Sequence, residues 1–303
     1  MKTPILYLIY NRPDHVRKSF ESIKRVKPKY LYVASDGPKN EKDETLCRVA
    51  REYVLNQIDW DCQITTLFRE RNLGCRLAVS SAITWFFDQV EKGIILEDDC
   101  VASPDFYTFC TELLDYYSAD TRIMHISGAN YGIDNRETKW SYYFSKYGLV
   151  WGWATWRRAW NYYDPEIKKY PELLKLNQFP FYYNNPSELE LKMNQYDRLY
   201  ANEIDTWDYQ WSLAKYTQNG LSIIPHVNLV ENIGFDEMAT HTKTDPNNFS
   251  KIGSESIGQI NHPEFIIRNA AFDRYVSGPV VEQRKGWIIR LYTGMKKFVQ
   301  LIT

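Results

Sequence analysis

The chain has 303 residues, with 37 Lys and Arg against 38 Asp and Glu for a formal net charge of -1. Charged residues at 25% and hydrophobic residues at 44% supply a sizeable core, which excludes a disordered or fibrous chain, and the balanced charge gives no general pull toward nucleic acid. The length suits two domains, or one large α/β domain with additions.

Residues 5–10 form an apolar run of six that stops at Asn11-Arg12. That is a buried strand, too short for a signal peptide or for the roughly 20 residues of a membrane span. A loop with Pro13 follows, then a helix with Val16, Phe20 and Ile23 at helical spacing. Residues 30–34 are a second strand ending in Ser35-Asp36-Gly37-Pro38, and the next helix has Asn40 as its N-cap. A third strand at 63–68 leads through Arg69-Glu70-Arg71-Asn72-Leu73-Gly74 into a long helix expected to close at Gly93. The fourth strand, 94–96, runs directly into Glu97-Asp98-Asp99. Ser103-Pro104-Asp105 places a cap, a first-turn proline and an acid at a helix start, and 123–126 is a fifth strand. This alternation predicts a mostly parallel sheet wrapped by helices over residues 1–130.

From about residue 140 the composition changes. Five of the ten Trp (Trp140, Trp151, Trp153, Trp156, Trp160) fall within 21 residues, followed by a polar, Tyr- and Asn-rich stretch to about 205. Residues 207–219 read as a helix ended by Gly220, 221–225 as a strand, and 231–256 as a loop. The aromatic content of 16% suits a protein that grips nucleobases or sugar rings, although core packing is the commoner use of such rings. Cys47, Cys62, Cys75, Cys100 and Cys110 include no CxxC pair, and an odd number cannot all pair within the chain, so a reducing cytoplasm is expected. Residues 286–303 carry cations among apolar residues and no carboxylate, the pattern of a helix lying on an anionic membrane surface or docked on the domain.

Glu97-Asp98-Asp99 is the sharpest chemical feature. Three adjacent carboxylates repel one another, so they stand at a strand end only if solvated or neutralised, and hard divalent ions with diphosphate ligands suit such oxygens. A bare run of this kind is also ordinary loop and capping chemistry. Its place at the C-terminal edge of a parallel strand favours a ligand, because open α/β sheets bind ligands there. Asp36 and Arg12 lie at comparable strand ends, where a carboxylate can accept from a base N–H and a guanidinium can meet phosphate. Asp-Gly-Pro is equally a turn.

The order LYLIYNRP, SDGP, RNLG and ILEDDC followed by SPDFY resembles the nucleotide-sugar-binding half of GT-A fold glycosyltransferases. It is most similar to inverting enzymes of the N-acetylglucosaminyltransferase I type. The resemblance covers roughly residues 4 to 242 and implies a Rossmann-like, mostly parallel sheet with an acceptor-binding C-terminal half. It divides the chain into a nucleotide-sugar half (1–130), an acceptor and catalytic half (131–260) and a helical, basic tail (261–303). It implies nucleotide and sugar contacts from Tyr10, Asn11, Arg12, Asp36, Arg71, Asn72, Gly74, Glu97 and Asp98, and a metal ligand in Asp99, with Mn²⁺ expected and Mg²⁺ second.

Residues 148–156, with Gly152 and Trp153, resemble the family's Gly-and-Trp loop, one ring in the site and its neighbours in packing. Thr206-Trp207-Asp208-Tyr209-Gln210-Trp211 resembles the segment whose first Asp is the catalytic base, which makes Asp208 the base, although the second acid of that pattern is absent. At a helix start Asp208 is also a plausible cap. His241 resembles a late metal or diphosphate ligand. The remaining histidines, His15, His125, His226 and His262, are expected to be structural. Together these imply a metal-dependent inverting transfer from a UDP-sugar to a glycan or lipid-linked glycan, at the cytoplasmic face of a membrane reached through residues 286–303. A non-catalytic glycan-binding protein explains the aromatics but not the three carboxylates. A sugar-1-phosphate nucleotidyltransferase would carry a Gly-rich, basic loop after the first strand, where this chain has Tyr10-Asn11-Arg12-Pro13.

Overall fold

The computed structural model describes residues 1–130, 132, 139–183, 185–235 and 252–277. His241 and residues 286–303 lie outside them. The chain runs β1 (Ile5–Ile9), α1 (Pro13–Val26), β2 (Tyr30–Ser35), α2 (Glu41–Asn56), β3 (Gln63–Phe68), α3 (Gly74–Phe87), β4 (Lys92–Glu97), β5 (Cys100–Ala102), α4 (Pro104–Tyr116) and β6 (Ile123–Ser127). It continues with β7 (Tyr142–Ser145), β8 (Trp153–Trp156), α5 (Arg157–Trp160), α6 (Tyr170–Lys175), α7 (Phe179–Tyr182), α8 (Pro186–Tyr200), α9 (Asp208–Thr217), β9 (Leu221–Pro225), β10 (Val230–Asn232) and α10 (Ala270–Ser277).

Within the described residues, eight strands form one sheet in the order β3-β2-β1-β4-β8-β6-β9-β7, and β10 pairs with β5 beside it. The β3-β2-β1-β4 block is parallel, and β8 and β7 run against their neighbours. The fold is thus a mostly parallel sheet flanked by helices. Strands β1, β2 and β4 are buried on both faces, which is why they read as continuous apolar runs. Alternation along β1 sends Ile5, Tyr7 and Ile9 into a core with α1 and α4, and Leu6 and Leu8 into a second core with α3 and α9. A third cluster of Tyr170, Phe179, Tyr183, Tyr196 and Leu213 ties α6, α7, α8 and α9 together.

Strand order reverses at β1. The chain steps from β1 outward to β2 and β3, then returns to place β4 on the other side of β1. The ends of these strands therefore diverge into the crevice where open sheets receive ligands. Asn40 caps α2 by accepting from the Asp43 N–H at 3.0 Å, and Ser103 caps α4 by accepting from the Phe106 N–H at 3.3 Å, as expected from their positions.

Two expectations are corrected. The helix expected to close at Gly93 ends at Phe87, and Gly93 lies inside β4, where a Cβ would collide with the Phe86 ring. Residues 148–156, expected to be a loop, include β8, which is inserted between β4 and β6 with all four residues buried.

Candidate active site

The smaller of two adjoining cavities, about 130 Å³, opens at the ends of β1, β2 and β4 and is lined by Tyr10, Asn11, Arg12, Asp36, Asn72, Gly74, Glu97 and Asp98 among others. Asp36 forms the centre of its wall. Its carboxylate accepts from the N–H of Gly37 at 2.8 Å, the N–H of Leu73 at 3.0 Å and the Asn72 amide at 2.9 Å. The Asn72 amide also reaches the Tyr10 hydroxyl at 3.2 Å, and that hydroxyl donates to Asp43 at 2.9 Å. Burial would raise the Asp43 pKa, but bonds from Asn11 and Tyr10 outweigh it and hold the carboxyl below its ordinary value. Arg71 is exposed and lines neither of these two cavities; its backbone packs against Gly37, where a Cβ would overlap it.

The three carboxylates after β4 have three different environments. Asp98 is 2% exposed, accepts from the Tyr10 N–H at 3.2 Å and pairs with Arg12. Arg12 also meets Asp99 at 3.1 Å. Burial disfavours the Arg12 charge, yet Asp98 and Asp99 overcome it and raise the guanidinium's pKa above its ordinary value. Burial raises Asp98 as well, against the opposing pull of Arg12. Glu97, which lines both cavities, is pushed up to about 8 by burial and then by Asp99 and Asp98, with Arg12 acting against them.

The larger cavity, about 600 Å³, shares Arg12, Cys75 and Glu97 with the smaller one. Asp99, Trp151, Asn232 and Gly234 line it on one part, and Asn194, Gln195, Asp205, Thr206, Asp208 and Tyr209 on another. Asp208 is the first residue of α9, where the helix dipole favours a carboxylate, and it accepts from the Thr206 hydroxyl. Glu97 and Asp208 are close enough for Asp208 to help raise the Glu97 pKa.

Trp153 is corrected. It has no exposed surface and stacks between His125 at 5.1 Å and Trp207 at 5.6 Å, so it is core. Trp151 is the ring that lines the cavity, edge-on to Phe235 at 5.6 Å. Gly152 makes the division possible. Its φ of +60° suits glycine, and a Cβ there would press on Val230 and Leu96, so the chain turns with Trp151 toward the cavity and Trp153 toward the core.

Among the described residues no group of three His, Cys, Asp or Glu side chains is arranged to hold a metal ion. A cation held by the described side chains alone does not fit here. A hard cation held by one carboxylate and completed by diphosphate oxygens does, since Asp99 lies at the cavity beneath Gly234, where a Cβ would collide with its Oδ2. His241 and its neighbours lie outside the described residues.

Arg51 and Asp43 carried no sequence signal as site residues, whereas Asp205 stood beside Asp208 as an alternative base. Arg51 reaches across from α2 to bond the carbonyls of Asp36 at 2.8 Å and Arg69 at 2.9 Å, which fixes the wall of the smaller cavity. Asp43 stands in the first turn of α2. Asp205 spends both carboxylate oxygens on the N–H groups of Cys75 and Arg76, at 2.8 and 2.9 Å. No helix among the described residues is long and apolar enough to cross a membrane, and all five cysteines are free.

No protein-family model matches this chain, and no curated protein matches it. Among solved structures it is similar to the mannosyltransferase PcManGT from Pyrobaculum calidifontis in complex with GDP-Man and Mn²⁺, with a TM-score of 0.38 and 13% identity over 55% of this chain and 48% of that one. It is also similar to a cytidylyltransferase from Leptospira borgpetersenii (TM-score 0.31, 10% identity, 53% of this chain and 63% of that one) and to a UDP-glucose pyrophosphorylase complexed with UDP-glucose (0.33, 9%, 54% and 79%). The match spans about half the length of the mannosyltransferase. At these identities and TM-scores the likenesses carry no argument about what this chain does.

Proposed function

We propose that this chain is an inverting glycosyltransferase of GT-A type that moves a sugar from a UDP-sugar to a hydroxyl of a glycan or lipid-linked glycan. The observation that carries this is the junction of two cavities at Arg12, Cys75 and Glu97. The small one is walled by Asp36, Asn72 and Tyr10, which offer hydrogen-bonding groups to a base and ribose. The large one, with Trp151 and the amides of Asn194 and Gln195 on its walls, has room for two sugars.

In this account the diphosphate lies where the cavities meet, near Asp99 and Arg12. Asp99 would hold a divalent ion, Mn²⁺ first, which when bound supplies Lewis-acid stabilisation of the departing diphosphate. Glu97, which lines both cavities, contacts the donor where they join. Asp208 accepts the acceptor's hydroxyl proton as that oxygen bonds to the anomeric carbon, while the bond from that carbon to the diphosphate oxygen breaks. The Thr206 hydroxyl, at the start of α9, orients Asp208 for this. A nucleotidyl transfer would instead need a cradle of backbone N–H groups after β1, where Pro13 has none and Arg12 is bound to Asp98 and Asp99.

Asp208→Asn is expected to lower turnover by about 10²-fold or more while donor affinity stays within about twofold. Steady-state transfer assays with donor titration check this. Turnover equal to that of the unaltered enzyme would remove Asp208 from the role of base.

A further inference from the structure

The first turn of α3 is held by two carboxylates from distant parts of the chain. Its N-cap residue, Leu73, has no capping side chain, so its first amides need outside partners. Asp36, in the wall of the smaller cavity, accepts from the Leu73 N–H at 3.0 Å through Oδ1 and 3.1 Å through Oδ2. Asp205 accepts from the next two available amides, Cys75 at 2.8 Å and Arg76 at 2.9 Å, across a separation of 130 and 129 residues. Gly74 between them has a φ of +79°, and a Cβ there would stand 2.6 Å from Asp205 Oδ2. The glycine therefore serves the approach of Asp205 as well as the turn. The Arg76 guanidinium adds a second tie to the same loop by donating to Asn202 Oδ1 at 2.7 Å.

Asp205 precedes Thr206, whose hydroxyl bonds Asp208, and Asp208 opens α9. A short rigid path thus leads from Asp36, through the first turn of α3 and Asp205, to Asp208. We propose that Asp205 is a positioning residue that fixes Asp208 relative to the nucleotide cavity, and is not itself a base. This rests on the glycosyl-transfer function proposed above. With both oxygens committed to N–H groups, Asp205 is a poor proton acceptor. A displacement of a base by a fraction of an ångström is enough to slow transfer, because the reacting atoms must meet within a narrow range of distance.

Asp205 is exposed, so its replacement leaves the three cores untouched. The experiment compares Asp205→Ala and Asp205→Asn with the unaltered enzyme in kcat, donor KM and the pH dependence of kcat, with thermal melts confirming that both variants fold. Asp205→Ala is expected to lower kcat about tenfold with donor KM unchanged and the acid limb of the pH profile retained. Asp205→Asn, which keeps one oxygen acceptor for the α3 amides but sets its NH₂ against the other N–H, is expected to recover part of the loss. Loss of the acid limb in both variants, equal losses in Ala and Asn, or an unchanged kcat in Asp205→Ala would each overturn the positioning role. If the unaltered enzyme transfers no sugar from any nucleotide sugar, the function itself falls and this inference falls with it.

Discussion

Arg12 bonds Asp98 and Asp99 at once, and removing it leaves a 2%-exposed carboxylate without its cation. Breaking a buried pair from one side costs about 3–5 kcal/mol. Arg12→Ala is therefore expected to lower the free energy of unfolding in urea by about 3 kcal/mol, and a loss below about 1 kcal/mol would mean that water reaches Asp98 and replaces the guanidinium. Glu97-Asp98-Asp99 was legible in the sequence because three adjacent acids after an apolar strand need a cation. Their division of labour was not. It depends on which acid faces inward beside Arg12, a residue 86 positions from Asp98 and 87 from Asp99. The sequence offered Asp205 only as an alternative base; its tie to α3 was illegible for the same reason, since its partners there lie 130 and 129 residues away.

At the scale of elements, β1, β2 and β4 could be read from the sequence because strands buried on both faces are unbroken apolar runs. β8 could not. Its four residues are Trp, Ala, Thr and Trp, which show no alternation, and the tryptophans suggested a ligand loop where the fold needed a strand between β4 and β6. The consequence is testable. Trp153→Ala removes a fully buried ring between His125 and Trp207 and should cost about 3–5 kcal/mol of stability, while the milder Trp153→Phe should lower the melting temperature and leave donor affinity within about twofold. Loss of donor binding at unchanged stability in Trp153→Phe would return that ring to the site.

At the scale of the whole molecule, Lys215 and His125 are buried bases whose charge the fold disfavours, which gives stability a predictable dependence on pH. Burial, with Lys192 nearby, lowers Lys215 from 10.5 to about 7, and its ammonium nitrogen bonds the Ser222 hydroxyl at 2.7 Å. Between about pH 7 and 10.5 the unfolded chain holds a proton that the folded chain has released, so stability rises with pH through that window. Burial likewise holds His125 well below 6.5; it accepts from the Trp211 indole N–H at Nδ1, which leaves Nε2–H to donate to the Leu149 carbonyl. The His125 contribution to stability therefore falls as pH drops below about 6.5. Urea midpoints at pH 7, 8.5 and 10 should rise less steeply for Lys215→Met than for the unaltered chain, and parallel slopes would contradict the burial of a neutral lysine. The claim on which the functional account depends is that a nucleotide sugar bridges the two cavities and is cleaved between sugar and diphosphate. The most direct measurement incubates the full chain with a panel of nucleotide sugars and Mn²⁺, with and without pyrophosphate, and identifies the nucleotide released. The account predicts free UDP from a UDP-sugar, dependent on Mn²⁺ and lost in Asp99→Ala. Nucleoside triphosphate formed only with pyrophosphate, or no cleavage of any nucleotide sugar, would contradict it.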